Sequence, residues 1–111
     1  MVNPIVEILE YIKEDGINPF RSWLTGLRDR TARARIRVRL NRVRLGNFGD
    51  SKPVGLGVYE LRIPYGPGYR VYFGKSSATI IILLCGGDKS SQSEDIKTAK
   101  QYWTDYKQRT G

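Results

Sequence analysis

The chain has 111 residues, 40% of them hydrophobic, and a formal net charge of +8, which fits one small domain spanning 1–111 with its own core. No apolar run approaches the ~20 residues that cross a bilayer and no secretory signal is evident at the N-terminus, so the expected compartment is the cytoplasm, and the positive field selects polyanions, nucleic acid first, as partners. Histidine is absent and Cys85 is the single cysteine, which excludes His general bases, Ser–His and Cys–His pairs and zinc sites of the Cys/His kind; no metal or cofactor is expected.

Pro4 to Ile12 is apolar and β-branched and reads as an opening strand. Asn18 before Pro19 marks a helix start, with a side-chain cap followed by proline at the first helical position. Phe20, Trp23, Leu24 and Leu27 then fall on one helical stripe. Asp29 caps a second predicted helix that runs to about Leu45 and stops at Gly46. Between Arg28 and Arg44 this segment holds eight arginines and one acid. On a helix Ala32, Ile36, Leu40 and Val43 form an apolar stripe. The arginines flank it in two banks, Arg28, Arg35, Arg39 and Arg42 on one side and Arg30, Arg33, Arg37 and Arg44 on the other. Ala34, Val38 and Leu45 make a smaller apolar strip on the far side. A helix apolar on two faces is sandwiched, here between the protein's own sheet and a partner.

A Gly/Asp/Ser/Pro-rich loop from Asn47 to Gly57 contains a short extended piece at Lys52-Pro53-Val54. A hairpin follows, with strands around Val58-Tyr59-Glu60-Leu61-Arg62-Ile63 and Tyr69-Arg70-Val71-Tyr72-Phe73 joined by a Pro/Gly turn. Thr79 to Cys85 is continuously apolar, the pattern of a central strand covered on both faces, and Cys85 reads as a buried structural thiol. Ser91-Gln92-Ser93-Glu94 resembles a capping box and opens a last helix whose face is Ile96, Ala99, Tyr102 or Trp103, and Tyr106. These elements predict an α+β domain: a small, mostly antiparallel β-sheet with two N-terminal helices and one C-terminal helix.

Alternation in the hairpin sends Tyr59, Leu61, Ile63, Tyr69, Val71 and Phe73 inward and Glu60, Arg62, Arg70 and Tyr72 outward. A turn centred near Gly66 places Arg62 directly opposite Arg70. Like charges facing across a sheet are unfavourable, so the pair implies an anion, phosphate above all, and truncating Arg70 at an outward position should cost little stability.

Several segments carry a family resemblance over nearly the whole chain. They are Phe20-x-x-Trp23-Leu24-x-x-Leu27-x-Asp29, Arg44-Leu45-Gly46-Asn47-x-Gly49-Asp50, Gly57-Val58-x-Glu60-Leu61-Arg62, Gly66-Pro67-Gly68-Tyr69-Arg70-Val71-Tyr72 and Leu84-x-Gly86-Gly87-x-Lys89-x-x-Gln92. In this order and spacing the chain resembles the RelE/ParE superfamily of bacterial type II toxins, and within it the HigB-like addiction module killer group. The resemblance implies a RelE-like fold, neutralisation by a helix-turn-helix (HigA-like) antitoxin in a hetero-oligomer, and cleavage of mRNA on the ribosome. Carried over by motif, the catalytic positions are Arg62, Arg70 and Lys89.

Metal-independent RNA cleavage uses a ribose 2′-oxygen to attack the adjacent phosphate, and fixed cations stabilise the charge that gathers there. Arg62 and Arg70 suit a bidentate clamp; Lys89 joins them or protonates the leaving oxygen, and Glu60 and Tyr72 are candidate proton-transfer groups. Ribonucleases of the superfamily often carry a basic residue where Glu60 stands and a tyrosine where Ile96 stands, so the chain departs from them at both positions. Arg33, Arg35, Arg37, Arg39, Arg42 and Lys52 are expected to track RNA phosphates, and Ala34, Val38 and Leu45 to meet the antitoxin. Two alternatives belong to other classes: a ParE-type toxin that poisons DNA gyrase without cleaving RNA, and a non-catalytic nucleic-acid-binding module.

Overall fold

The computed structural model describes residues 5–111. The elements are β1 (Glu7–Glu10), α1 (Pro19–Gly26), α2 (Arg30–Arg44), β2 (Ser51–Gly55), β3 (Val58–Ile63), β4 (Tyr69–Ser77), β5 (Ile80–Gly87), a 3-10 turn (Lys89–Ser91) and α3 (Gln92–Thr110). Pro4, where the opening strand was expected to begin, lies outside the described residues.

The strands form one five-stranded sheet in the order β1-β5-β4-β3-β2. β1 runs parallel to β5, with Glu7 beside Ile80 and Glu10 beside Leu83, while the β2–β3, β3–β4 and β4–β5 pairs are antiparallel. This corrects the expected fold class. The sheet is mixed, and its first strand precedes both early helices, so the chain does not follow the RelE-like pattern of two N-terminal helices, an antiparallel sheet and a C-terminal helix. The physical reason is the connection: a hairpin can join only antiparallel neighbours, whereas the long path from β1 through α1, α2 and β2–β4 brings β5 alongside β1 in the same direction.

Local chemistry sets the helix starts. Asn18 Oδ1 accepts the Arg21 amide at 3.0 Å, with Pro19 at the first turn. Asp29 Oδ1 accepts the Thr31 and Ala32 amides at 2.9 and 3.2 Å. α2 ends at Arg44, and Gly46 takes the left-handed conformation (φ 89°) that glycine permits at such a stop. The capping box lies one turn earlier than the sequence suggested. It joins Asp88 to Ser91 and caps the 3-10 turn, while Ser91 makes no side-chain cap on α3.

Two cores sandwich the sheet. On one face Phe20 and Leu24 of α1 and Ile36, Leu40 and Val43 of α2 pack on Leu61, Ile63, Val71, Phe73, Ile81 and Leu83. On the other, Ala99 and Trp103 of α3 pack on Val58, Tyr72, Ile82, Leu84 and Cys85. β5 therefore contributes to both, Ile81 and Leu83 to the first and Ile82, Leu84 and Cys85 to the second, as its continuous apolar run predicts. Both helical layers press close to the backbone: a Cβ on Gly86 would overlap the Trp23 ring, and one on Gly74 the Trp103 ring. Cys85 is buried, and burial, followed by the nearby Asp95 charge, pushes its thiol up to about 12, which suits a structural role. Among the described residues no helix is long and apolar enough to cross a membrane.

Candidate functional site

The hairpin register pairs Arg62 with Arg70, Glu60 with Tyr72 and Leu61 with Val71, as alternation predicts. The surroundings of that face are different from the expectation. It is not an open polar surface, because α3 lies over most of it. Glu60 and Tyr72 are both wholly buried, and Gln92 at the start of α3 reaches across to Glu60. Around the buried Glu60 the same face is more open: Lys52, beside Glu60 on β2, and Lys89 are exposed, and Arg62 is partly exposed.

The two arginines have separate partners. The Arg62 side chain, 39% exposed, donates from Nε and Nη2 to Asp50 Oδ1 at 3.2 and 3.0 Å. Its backbone is anchored as well, since its amide donates to the Asp50 carbonyl at 2.9 Å and its own carbonyl accepts from Arg39 Nη1. Arg70 is much less open, with a side chain 11% exposed and its Nε 3.6 Å from Glu60 Oε2. Its Nη1 points to the Gly68 carbonyl at 3.5 Å. Lys89 reaches the same place from the other side: its amide donates to the Pro67 carbonyl at 3.4 Å. A Cβ on Gly68 would sit 3.5 Å from Lys89 Cβ and 4.0 Å from Arg70 Nη1. Gly68, at φ 80°, keeps the room between the two cations open.

Behind Arg70 lies a buried polar cluster. Glu60 Oε2 accepts from Gln92 Nε2 at 2.8 Å and from Tyr72 OH at 3.1 Å. Burial, then the Glu60 charge and hydrogen bond, push the Tyr72 hydroxyl well above its ordinary range. Glu60 and Tyr72 are thus directed at each other rather than at the accessible rim. Arginine and lysine side chains stand near this rim, and neither Glu60 nor Tyr72 faces solvent there.

The arginine-rich helix meets the expected layout on its buried side, with Ala32, Ile36, Leu40 and Val43 all in the core. Its outer side is a groove of about 450 Å³ between α2 and the end of the β3–β4 hairpin. Ala34, Val38, Ile63, Pro64 and Tyr65 supply its apolar surface, and Arg35, Arg39, Arg42 and Asp50 its polar rim. Arg35 stacks 4.7 Å over the Tyr65 ring. Arg39 is a structural brace as much as a surface charge: Nη2 donates to the Phe48 carbonyl at 3.0 Å, and burial lowers its pKa from the ordinary value. Leu45 is 56% exposed but lies outside the groove lining. Arg33 donates to the Leu27 carbonyl, Arg37 lines a separate cleft with Glu10 and Arg21, and Lys52 is exposed on β2 in register with Glu60. The predicted RNA-binding residues thus lie on several surfaces.

Sequence reasoning missed Asp50 and Gln92. The β2–β3 register pairs Ser51 with Leu61, which brings Asp50 to Arg62, so a correct pairing of the short Lys52-Pro53-Val54 strand would have found the first. Gln92 stood in one of the resemblance motifs and in a supposed cap, but neither pointed to a contact with Glu60.

No protein-family model matches the chain. A protein of Haemophilus influenzae described as uncharacterized is 53% identical over 81 residues, which cover 73% of this chain and 82% of that relative. The chain belongs to the same family as that Haemophilus influenzae protein.

Proposed function

We propose that the protein is the toxin of a bacterial type II toxin–antitoxin pair and cleaves mRNA on the ribosome, in the cytoplasm. The observation that carries this reading is the placement of Arg70 and Lys89 on either side of Gly68, with Arg62 opposite Arg70 in the hairpin register. The motif resemblance to HigB-like toxins falls on the same three residues.

In the proposed step the ribose 2′-oxygen attacks phosphorus as its proton passes to solvent water. The bond to the 5′-oxygen breaks, that oxygen takes up a proton, and the products are a 2′,3′-cyclic phosphate and a 5′-hydroxyl. Arg70 and Arg62 bind the non-bridging oxygens, where charge accumulates in the transition state. Lys89 serves the phosphate or delivers the proton to the departing oxygen. Asp50 has to yield Arg62 for this, which an exposed ion pair permits at a cost of about 0.2–1 kcal/mol.

The antitoxin is assigned to the groove on α2. Its apolar floor with Arg35, Arg39 and Arg42 around it suits a segment with apolar and acidic side chains. Induced expression tests the reading: growth stops, and the purified protein arrests translation in a cell-free system, while Lys89→Ala, at an exposed position, loses both effects and stays folded. DNA breaks and an SOS response with translation intact would replace this reading with the gyrase one.

A further inference from the structure

We propose that Glu60 is a positioning residue that fixes the guanidinium of Arg70, an assignment whose catalytic meaning rests on the ribonuclease reading above. Glu60 is wholly buried in a chain whose charge is +8. Taking a carboxylate out of water costs several kcal/mol, and an apolar residue of similar volume would often serve stability as well or better. The surroundings are nevertheless built to keep it there. Gln92 from α3 and Tyr72 from β4 both donate to Oε2, so the carboxylate is held from two elements before Arg70 is considered.

Arg70 Nε lies 3.6 Å from that same oxygen. Nε is buried and has no hydrogen-bond partner, and neither does Glu60 Oε1. The pair is therefore held by charge and packing at a separation longer than a hydrogen bond. A guanidinium is a flat fork, and its value at a phosphate depends on which edge it presents. With the Nε edge turned toward Glu60, the Nη1 end points to the Gly68 carbonyl, in the turn next to Lys89. A proton-acceptor role for Glu60 fits this poorly, since its carboxylate is enclosed and already accepts two hydrogen bonds.

Glu60→Gln keeps the volume and an acceptor oxygen for Tyr72 and Gln92, but removes the charge facing Arg70. Two readouts are taken on the full-length protein. The first is the Arg70 Nε–H resonance in a nitrogen-15 spectrum. Burial protects it from exchange with water in the parent protein, and in Glu60→Gln it exchanges about tenfold faster or is lost. The second is ribosome-dependent cleavage of a defined mRNA. There kcat falls about tenfold or more as the clamp loses its orientation, while KM stays level or drops, because the guanidinium is no longer neutralised. A role confined to stability would lower kcat through the fraction of active protein and leave the Arg70 resonance of the folded fraction unchanged.

Retained protection of Arg70 Nε–H in folded Glu60→Gln overturns the positioning role. If the parent protein cleaves nothing, the ribonuclease reading fails while the resonance still decides the Glu60–Arg70 relationship. Should Glu60→Gln not fold, Glu60→Asp keeps the charge but draws it back by one methylene from Arg70 Nε. Faster Arg70 exchange in that variant supports the assignment, and an unchanged rate overturns it.

Discussion

Arg62 and Arg70 face each other across β3 and β4, yet each has its own carboxylate. Asp50, exposed, takes two hydrogen bonds from Arg62; Glu60, buried, stands 3.6 Å from Arg70. One arginine is restrained by a contact that solvent or a ligand can replace, and the other by the protein interior.

The two truncations therefore differ in stability. Arg70→Ala strands a buried carboxylate and is expected to cost about 3–5 kcal/mol, contrary to the small cost that an outward strand position implies. Arg62→Ala breaks an exposed pair and costs about 1 kcal/mol or less. Urea unfolding of both variants measures the difference, and equal midpoints would contradict the burial argument. Tests of function at position 70 are better made with Arg70→Lys, which keeps a charge for Glu60 and removes the fork.

Asp50→Asn releases Arg62 without altering the shape of the loop. Affinity for a short RNA at low salt should rise by up to about fivefold, the equivalent of an exposed ion pair, and the gain should fade as salt is raised. Fluorescence anisotropy at two ionic strengths reads it. Weaker RNA binding by this variant would mean that Asp50 orients Arg62 for its ligand instead of competing with it.

Val38, 48% exposed and in the groove on α2, tests the partner assignment. Val38→Asp leaves the core untouched but introduces a charge that a bound partner would bury. Affinity for a helix-turn-helix antitoxin, the partner that the proposed function requires, is expected to drop about tenfold or more in titration calorimetry, and an unchanged constant would place the partner elsewhere.

The turn that presents Lys89 is sensitive to acid. The Ser90 hydroxyl and then the Ser90 amide hydrogen-bond to the Asp88 carboxylate and hold its pKa below the ordinary value. A carboxyl with a lowered folded pKa contributes stability that is complete above its unfolded pKa, about 3.9, and is lost as pH falls through the folded value. Protection of the Ser90 amide, its exchange compared with an unstructured amide at the same pH, should therefore fall only below about pH 4, and Asp88→Asn should remove that dependence. A loss of protection that begins near neutrality would assign the turn's stability to another group.

Much of this was legible in the chain. Asn18-Pro19 and Asp29 set the helix starts, and alternation around Gly66 gave the Arg62–Arg70 register, because each depends on neighbours in sequence. The parallel direction of β1 was not legible, since Glu7–Glu10 is too short for its pattern to encode which way β5 runs beside it. Nor was the burial of Glu60. Alternation assigns a residue to a face but does not reveal that another helix covers that face, and the donor that keeps Glu60 there, Gln92, comes from a distant element.

Mapping 5′ ends of cellular mRNA soon after induction tests the central claim most directly. A ribosome-dependent nuclease leaves new ends inside translated regions, absent when ribosome loading on the message is blocked and absent with Lys89→Ala. Growth arrest with mRNA intact would contradict it.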